Sequence, residues 1–293
     1  MAIFRLRGDA EDWSDVNSWY GGTVPTSGTD TVVIIGESGS KPVSLGLDQS
    51  AVSINSIRRL PGVRKAIGDG GAPLKIDVDN GTAPAIIDAG DGGSGFTMYI
   101  DGKCPNVQLR GSAGYAQKGG AIGDTMLVVA GGALLDVSDQ ATIGATANGG
   151  AIRVIGGSAK VMKHATDRIG DAIVMGGTLE TERDWAMGDA VGSGVFVPKG
   201  TAKATDGGTP DLGRFRLLSP SAVLRMQNTE AVTFANVDLL AGRMDFTRAI
   251  GDFTASDGAV DNSAVFVPKT YAGGVTDVSA TTEAGVQQES ISA

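Results

Sequence analysis

Cysteine and histidine are almost missing from this chain, which has one of each, Cys104 and His164, in 293 residues. A single cysteine excludes an internal disulfide framework. One histidine and one cysteine would leave a zinc site to carboxylates almost alone, a ligand set that zinc proteins seldom use. His164 sits in Lys163-His164-Ala165-Thr166-Asp167 with no nucleophile motif beside it, so it is expected on the surface rather than in catalysis. Aromatic residues make up only 5% of the chain, too few for the stacked platforms that sugar-binding faces use. The core must then come from small and β-branched side chains. No apolar run approaches the roughly 18 residues of a membrane span, and Met1 to Arg7 lacks the apolar stretch of a signal peptide. The net charge is −9, from 33 acidic and 24 basic residues, which gives no counterion-release affinity for nucleic acid. Neither a membrane nor a nucleic acid is expected as a partner, and no cofactor or catalytic activity is expected.

What the chain has in quantity is glycine, 45 residues, about double the usual share of roughly 7%. Double glycines punctuate short apolar runs in the middle of the chain. Met126 to Val129 leads to Gly131-Gly132, Ile152 to Ile155 to Gly156-Gly157, and Ala172 to Met175 to Gly176-Gly177. Each corner is followed by a second short run and an apolar-Gly stop, such as Ile143-Gly144, Ile169-Gly170 or Met187-Gly188. The corners lie 25 and 20 residues apart, the length of one coil of a β-solenoid. A coil cannot bury its own apolar face, so successive coils must stack. No stretch keeps a glycine-free helical period. The expected fold is all-β, a right-handed β-solenoid (β-helix) with an N-terminal capping segment (residues 1–36), a body (37–269) and an extended polar C-terminal tail (270–293). Within the body, strands before Gly120 are expected to be shorter and their turns more varied. Val128, Leu134, Ile143, Ile152, Val154, Ile173, Leu179 and Leu239 are expected inside.

A longer repeat points the same way. Val195-Phe196-Val197-Pro198-Lys199 recurs as Val265-Phe266-Val267-Pro268-Lys269, 70 residues on and in matched context. Phe196 and Phe266 are expected to pack alike, and Pro198 and Pro268 to end their strands or lie at an edge.

Three groups could carry chemistry or contacts. Glu180, Glu182 and Asp184 alternate along one run beside Trp185, as an acid–base pair on a sugar-cleaving strand face would. A solvated strand face is the simpler reading. The Asp-Gly pairs at Asp69, Asp91 and Asp257 are expected as tight turns rather than calcium loops. The cluster Arg58, Arg59, Arg64 and Lys65, with Arg5 and Arg7 of the N-terminal strand and the polar tail, supplies candidate contacts to an acidic partner.

The strongest local motif runs from Trp13 to Ile34. It combines Trp13 and Trp19, Gly21-Gly22, Pro25, Asp30 and an alternating Val/Ile strand. It resembles the opening segment of bacterial and phage surface proteins built as β-solenoids, with the departure that Ser18 separates Asn17 from Trp19. The resemblance implies a cap, in which two indoles cover an open end and the glycines and proline turn the chain. Autotransporter passengers with such an opening carry a signal peptide and a membrane barrel, neither of which is expected here. Size, acidity and the lack of cysteine pairs look instead like a phage capsid decoration (cement) protein. That resemblance implies a structural virion protein made in the host cytoplasm and placed on the outer capsid surface. Its implied partners are the major capsid protein and further copies of itself, as a homotrimer. A tail-associated adhesin or receptor-binding protein and, behind it, a polysaccharide-cleaving β-helix enzyme are the alternatives.

Overall fold

The computed structural model describes residues 2–79, 85–129, 131–137, 141–143, 150–161, 169–181, 187–200, 214–225, 227–228, 232–234, 236–239, 241–245, 253–255 and 264–267. Among them the fold is all-β, and helix is limited to two three-residue 3-10 turns, Val16–Ser18 and Ser94–Phe96. The first nine strands are β1 (Ala2–Leu6), β2 (Trp19–Tyr20), β3 (Gly28–Ile35), β4 (Asp48–Arg59), β5 (Leu74–Asp77), β6 (Ile86–Asp88), β7 (Met98–Asp101), β8 (Cys104–Leu109) and β9 (Gly114–Val129).

Two of these strands decide the architecture. β4 pairs through its first half with β5 and through its second half with β3 and β6. β9 pairs through its first half with β7 and through its second with β8. With β5 on β7 and β6 on β8, the parallel pairings run β4–β5–β7–β9–β8–β6 and return to β4. Six parallel strands thus close into a barrel, and the remaining strands lie outside it. The right-handed β-solenoid expected from the glycine spacing is corrected on this finding. The spacing fixes only how far apart parallel partners lie in sequence, and a closed ring needs the same crossover lengths as an open stack. The expectation of shorter strands before Gly120 is also corrected, since β4 has 12 residues and β9 has 16. Gly120, at a φ of 71°, lets β9 bend from one set of partners to the other without ending. A side chain there would run into the backbone of Gly102.

The interior is apolar and largely aliphatic. Ile54, Ile57, Leu74, Ile76, Ile87, Met98, Ile100, Val107 and Leu109 are all buried. Tyr115 is buried among them, and its hydroxyl donates to Gln117 Oε1 at 2.5 Å. Gln117 Nε2 in turn donates to the carbonyls of Gly102 (2.7 Å) and Gly119 (2.5 Å). The polar ends of this pair are thereby satisfied, as burial requires.

Beyond β9 most of the described strands form two ladders of parallel pairs, and Val232–Phe234 pairs with Phe253–Ala255 in a small sheet of their own. One carries Gly150–Val154, Ile169–Val174, Met187–Gly192, Arg214–Leu217 and Asn236–Leu239. The other carries Leu134–Val137, Ser158–Val161, Thr178–Thr181, Val195–Gly200, Val223–Arg225, Gly242–Asp245 and Ala264–Val267. The Gly-Gly pairs are the corners between them, where Gly157 and Gly177 take φ of 82° and 72°. Ile152, Val154 and Leu179 are buried as expected. Ile173 is only half-buried, because its neighbours Ala172 and Val174 occupy the inward positions of that strand. The side chains of Val128, Leu134, Ile143 and Leu239 lie outside the described ones.

Phe196 is buried, and register places Leu179, Phe196, Leu224, Met244 and Phe266 opposite one another in succession. Phe266 therefore stands three pairing steps from Phe196. The strand holding Pro198 does not stop at the proline but runs to Gly200. Pro198 faces Thr181 on one side. On the other side the described pairs are Phe196 with Leu224 and Lys199 with Gln227. Pro268, His164 and the tail lie outside the described residues.

Candidate functional site

Most of the residues singled out in the N-terminal segment meet at one end of the molecule. Trp13 and Trp19 are both fully buried, in an edge-to-face pair with ring centroids 4.9 Å apart. Trp19 Nε1 donates to the Trp13 carbonyl at 2.8 Å, so the two indoles are locked by a hydrogen bond as well as by contact. β2 sets Trp19 opposite Leu6 of β1, and the Trp13 N–H donates to the Leu45 carbonyl at 2.9 Å. Pro25 is buried and follows the Gly21-Gly22 turn. Asp30 lies in β3, and its side chain is outside the described ones. The segment is continuous with the barrel, because β1 pairs with β3 and β3 with β4.

The basic cluster is split by the structure. Arg58 and Arg64 are exposed, whereas Arg59 and Lys65 are 1% and 0% exposed. Arg59 and Lys65 are therefore corrected from surface contacts to internal bolts. Arg59 Nε donates to the Ala89 carbonyl at 2.6 Å, and its Nη1 donates to the carbonyls of Lys65 (3.2 Å) and Phe96. Burial pushes its guanidinium down to about 10, against the pull of Asp91 and Asp88, so it stays charged at neutral pH. The Lys65 ammonium donates to the carbonyls of Gly8 (2.9 Å), Ala10 (2.5 Å) and Lys41 (2.8 Å). Desolvation lowers its pKa, while Asp9 and Glu11 oppose the shift. Three carbonyls around an ammonium replace its lost hydration, which is what permits an unpaired lysine inside. Together the two cations tie residues 8–10 and 41 to the barrel.

A second, exposed latch holds the same segment. Glu37 accepts from the Tyr20 hydroxyl at 2.5 Å and from the Gly8 N–H at 2.8 Å. The Arg7 guanidinium lies 4.5 Å over the Tyr20 ring. The hydrogen bond from Tyr20 holds the Glu37 carboxyl below its ordinary range, and the same bond lifts the Tyr20 phenol. Around this base stand Ile3, Val16, Tyr20 and Leu45, all exposed, with exposed Arg5. Composition and spacing signalled the tryptophans and arginines here, but not Glu37, whose partner Tyr20 is 17 residues away.

The acidic run is only partly placed. Glu180 is half-buried on the face opposite buried Leu179 and Thr181, in register with Lys160. Next along that row Lys160 stands opposite Asp136, and Asp136 lies 3.9 Å from Lys118. Charges that alternate in sign across adjacent strands stabilise a ladder. Glu182, Asp184 and Trp185 lie outside the described residues. The Asp69 carboxylate accepts from the N–H groups of Gly71 and Ala72, both at 2.8 Å, which is the tight turn expected there. Asp91 accepts from the Gly62 N–H, while Asp257 lies outside the described residues. Among the described residues no group of three or more His, Cys, Asp or Glu is placed to hold a metal ion, and no helix is long and apolar enough to cross a membrane. Comparison of the chain with protein-family models, with curated proteins and with solved structures gave no match.

Proposed function

We propose that this chain is a structural virion protein of the capsid decoration (cement) type, which docks on the outer surface of a phage head and reinforces it as a homotrimer. The observation that carries this reading is the construction of the N-terminal end. Exposed apolar side chains and arginines stand there on a base fixed by buried Trp13, Trp19, Arg59 and Lys65. A surface held this rigidly loses little conformational freedom on docking, which favours permanent assembly. The Trp/Gly-Gly/Pro motif supports the same reading through its resemblance to phage and bacterial surface proteins. Labelling the protein in intact virions tests it. Many copies spread over the head, with a trimer mass in sedimentation, are expected. A few copies at the tail tip would replace this reading with the adhesin. Release of fragments from host surface polysaccharide, lost in Glu182→Ala, would replace it with the enzyme.

A further inference from the structure

The Gly21-Gly22 turn leaves part of a strand edge open. β1 and β2 pair antiparallel only at Arg5↔Tyr20 and Leu6↔Trp19. Continuing that ladder would set Phe4 against Gly21 and Ile3 against Gly22. Instead the two glycines take φ of 94° and 64°, and the Gly22 N–H turns back to the Trp19 carbonyl at 3.1 Å. Nothing lies within 4 Å of where a Cβ would sit on either glycine, so crowding does not explain them. The left-handed turn does, and its effect is to carry the chain off the edge.

On its other side β1 is paired along its whole length, from Ala2↔Thr31 to Leu6↔Ile35. Alternate residues of a strand direct their N–H and C=O groups to opposite edges. The Arg7 N–H donates to the Ser18 carbonyl at 2.9 Å, toward β2. Arg5 and Ile3, two and four residues earlier, direct theirs the same way. Ile3 therefore presents its backbone donor and acceptor on an edge that no strand covers among the described residues, and its side chain is 52% exposed.

We propose that the edge at Ala2–Phe4 accepts an extended acidic segment of a partner protein as an added strand. Strand addition supplies backbone hydrogen bonds, and side chains on the alternating rows supply the choice of partner. Beside Ile3, the outward row reads Arg5, Ile34, Arg58 by register, with both arginines exposed. The next residue in that row, Asp88, is already engaged by Arg110. Glu37 lies toward Tyr20, where it accepts from Tyr20 and Gly8. The edge is thus apolar and basic on a chain of net charge −9. It calls for a strand in which carboxylates flank an apolar side chain, and it disfavours the same edge of a second copy. This inference deepens the docking function proposed above and rests on it only for where the partner is found.

Binding of a short labelled peptide alternating valine with glutamate to the full chain, followed by fluorescence anisotropy, is the test. Saturable binding is expected, weakened about tenfold or more by Ile3→Pro, which removes the outward N–H while leaving the pairing with β3 in place. Ile3→Val should keep it, and Arg5→Glu should shift preference to a valine–lysine peptide. Methylating the peptide's backbone nitrogens should abolish binding to the unaltered protein, which tests the edge even if Ile3→Pro fails to fold. Binding indifferent to N-methylation, or as tight in folded Ile3→Pro, would overturn the proposal. So would a dimer in sedimentation that Ile3→Pro converts to monomer, since the occupant would then be a second copy. Peptide binding by a protein absent from phage heads would leave this edge standing and remove the capsid reading. Unchanged head decoration by Ile3→Pro would do the reverse.

Discussion

The N-terminal end and the outer strands are held together in opposite ways. At the N-terminal end each fastening occurs once: one indole pair, one buried lysine, one buried arginine and one tyrosine–glutamate latch. In the outer strands the fastenings recur. Leu135, Ala159, Leu179, Phe196, Leu224 and Met244 follow one another in register, all buried, and glycine turns separate the ladders. A repeated column spreads its stability over many similar contacts, and loss at one step is shared by neighbours of the same kind. A singular fastening has no substitute. That difference suits an end whose geometry must be fixed, set against a body that need only be stiff.

The largest expected effect lies at the indole pair. Trp19→Ala removes a fully buried indole and its hydrogen bond to the Trp13 carbonyl, and should cost about 5 kcal/mol, the top of the range for such truncations. Leu179→Ala, in the middle of the outer column, should cost about 3 kcal/mol because flanking side chains relax into the space. Urea unfolding of both variants checks the order. A larger loss at Leu179 would mean that the outer column, not the end, is the point of failure.

Parts of this contrast were legible in the sequence and parts were not, for reasons that lie in particular residues. The glycine corners and the all-β class follow from local chemistry, since Gly157 and Gly177 need positive φ wherever such a turn occurs. Ring closure was hidden because Gly119-Gly120 looks like a strand end, whereas the left-handed Gly120 bends a strand that continues on both sides. The basic cluster was misread for a different reason. Strand alternation sets Arg58 outward and Arg59 inward, and a charge count cannot see that alternation. Even with it, the burial of Lys65 depends on carbonyls at positions 8, 10 and 41, contacts that no local pattern encodes.

Lys65→Met sharpens the contrast at an intermediate size. The variant keeps the volume but leaves three carbonyls without their cationic donor, and should lose about 3 kcal/mol. Limited proteolysis should then cut between residues 8 and 18 well before the outer strands are attacked. Cleavage that begins in the outer strands would show that the lysine fastens nothing local. Gly177→Ala is the matching change in the outer ladders. It forces a side chain into a φ of 72° and against the Gly157 carbonyl, at a cost of roughly 1–3 kcal/mol. Gly70→Ala, where nothing lies within 4 Å, serves as its control and should leave the unfolding midpoint in place.

The smallest effect belongs to the exposed latch, and its direction follows from two opposite shifts. Glu37 is held below its ordinary 4.5, chiefly by the Tyr20 hydroxyl and then by the Gly8 N–H. The stability it adds is present above the unfolded value and is lost as pH falls through the lowered one. Tyr20 is lifted above its ordinary 10.0, chiefly by the same hydrogen bond. Its contribution is present below pH 10 and is lost as pH rises through the raised value. The latch is therefore closed between those limits and opens at both extremes, whereas the indole pair carries no titrating group and holds throughout. Tyr20 is exposed and Glu37 only half-buried, so solvent screening keeps the gain modest. Tyrosinate absorbance, taken as the difference between the unaltered protein and Tyr20→Phe, isolates this phenol from buried Tyr115, whose own ionisation is pushed up by burial. The Tyr20 midpoint should lie above 10 and fall back toward it in Glu37→Gln, which keeps an acceptor but removes the charge. A midpoint at or below 10 in the unaltered protein would mean that Tyr20 and Glu37 do not hold each other in solution, and that the buried lysine and indoles alone fasten the end.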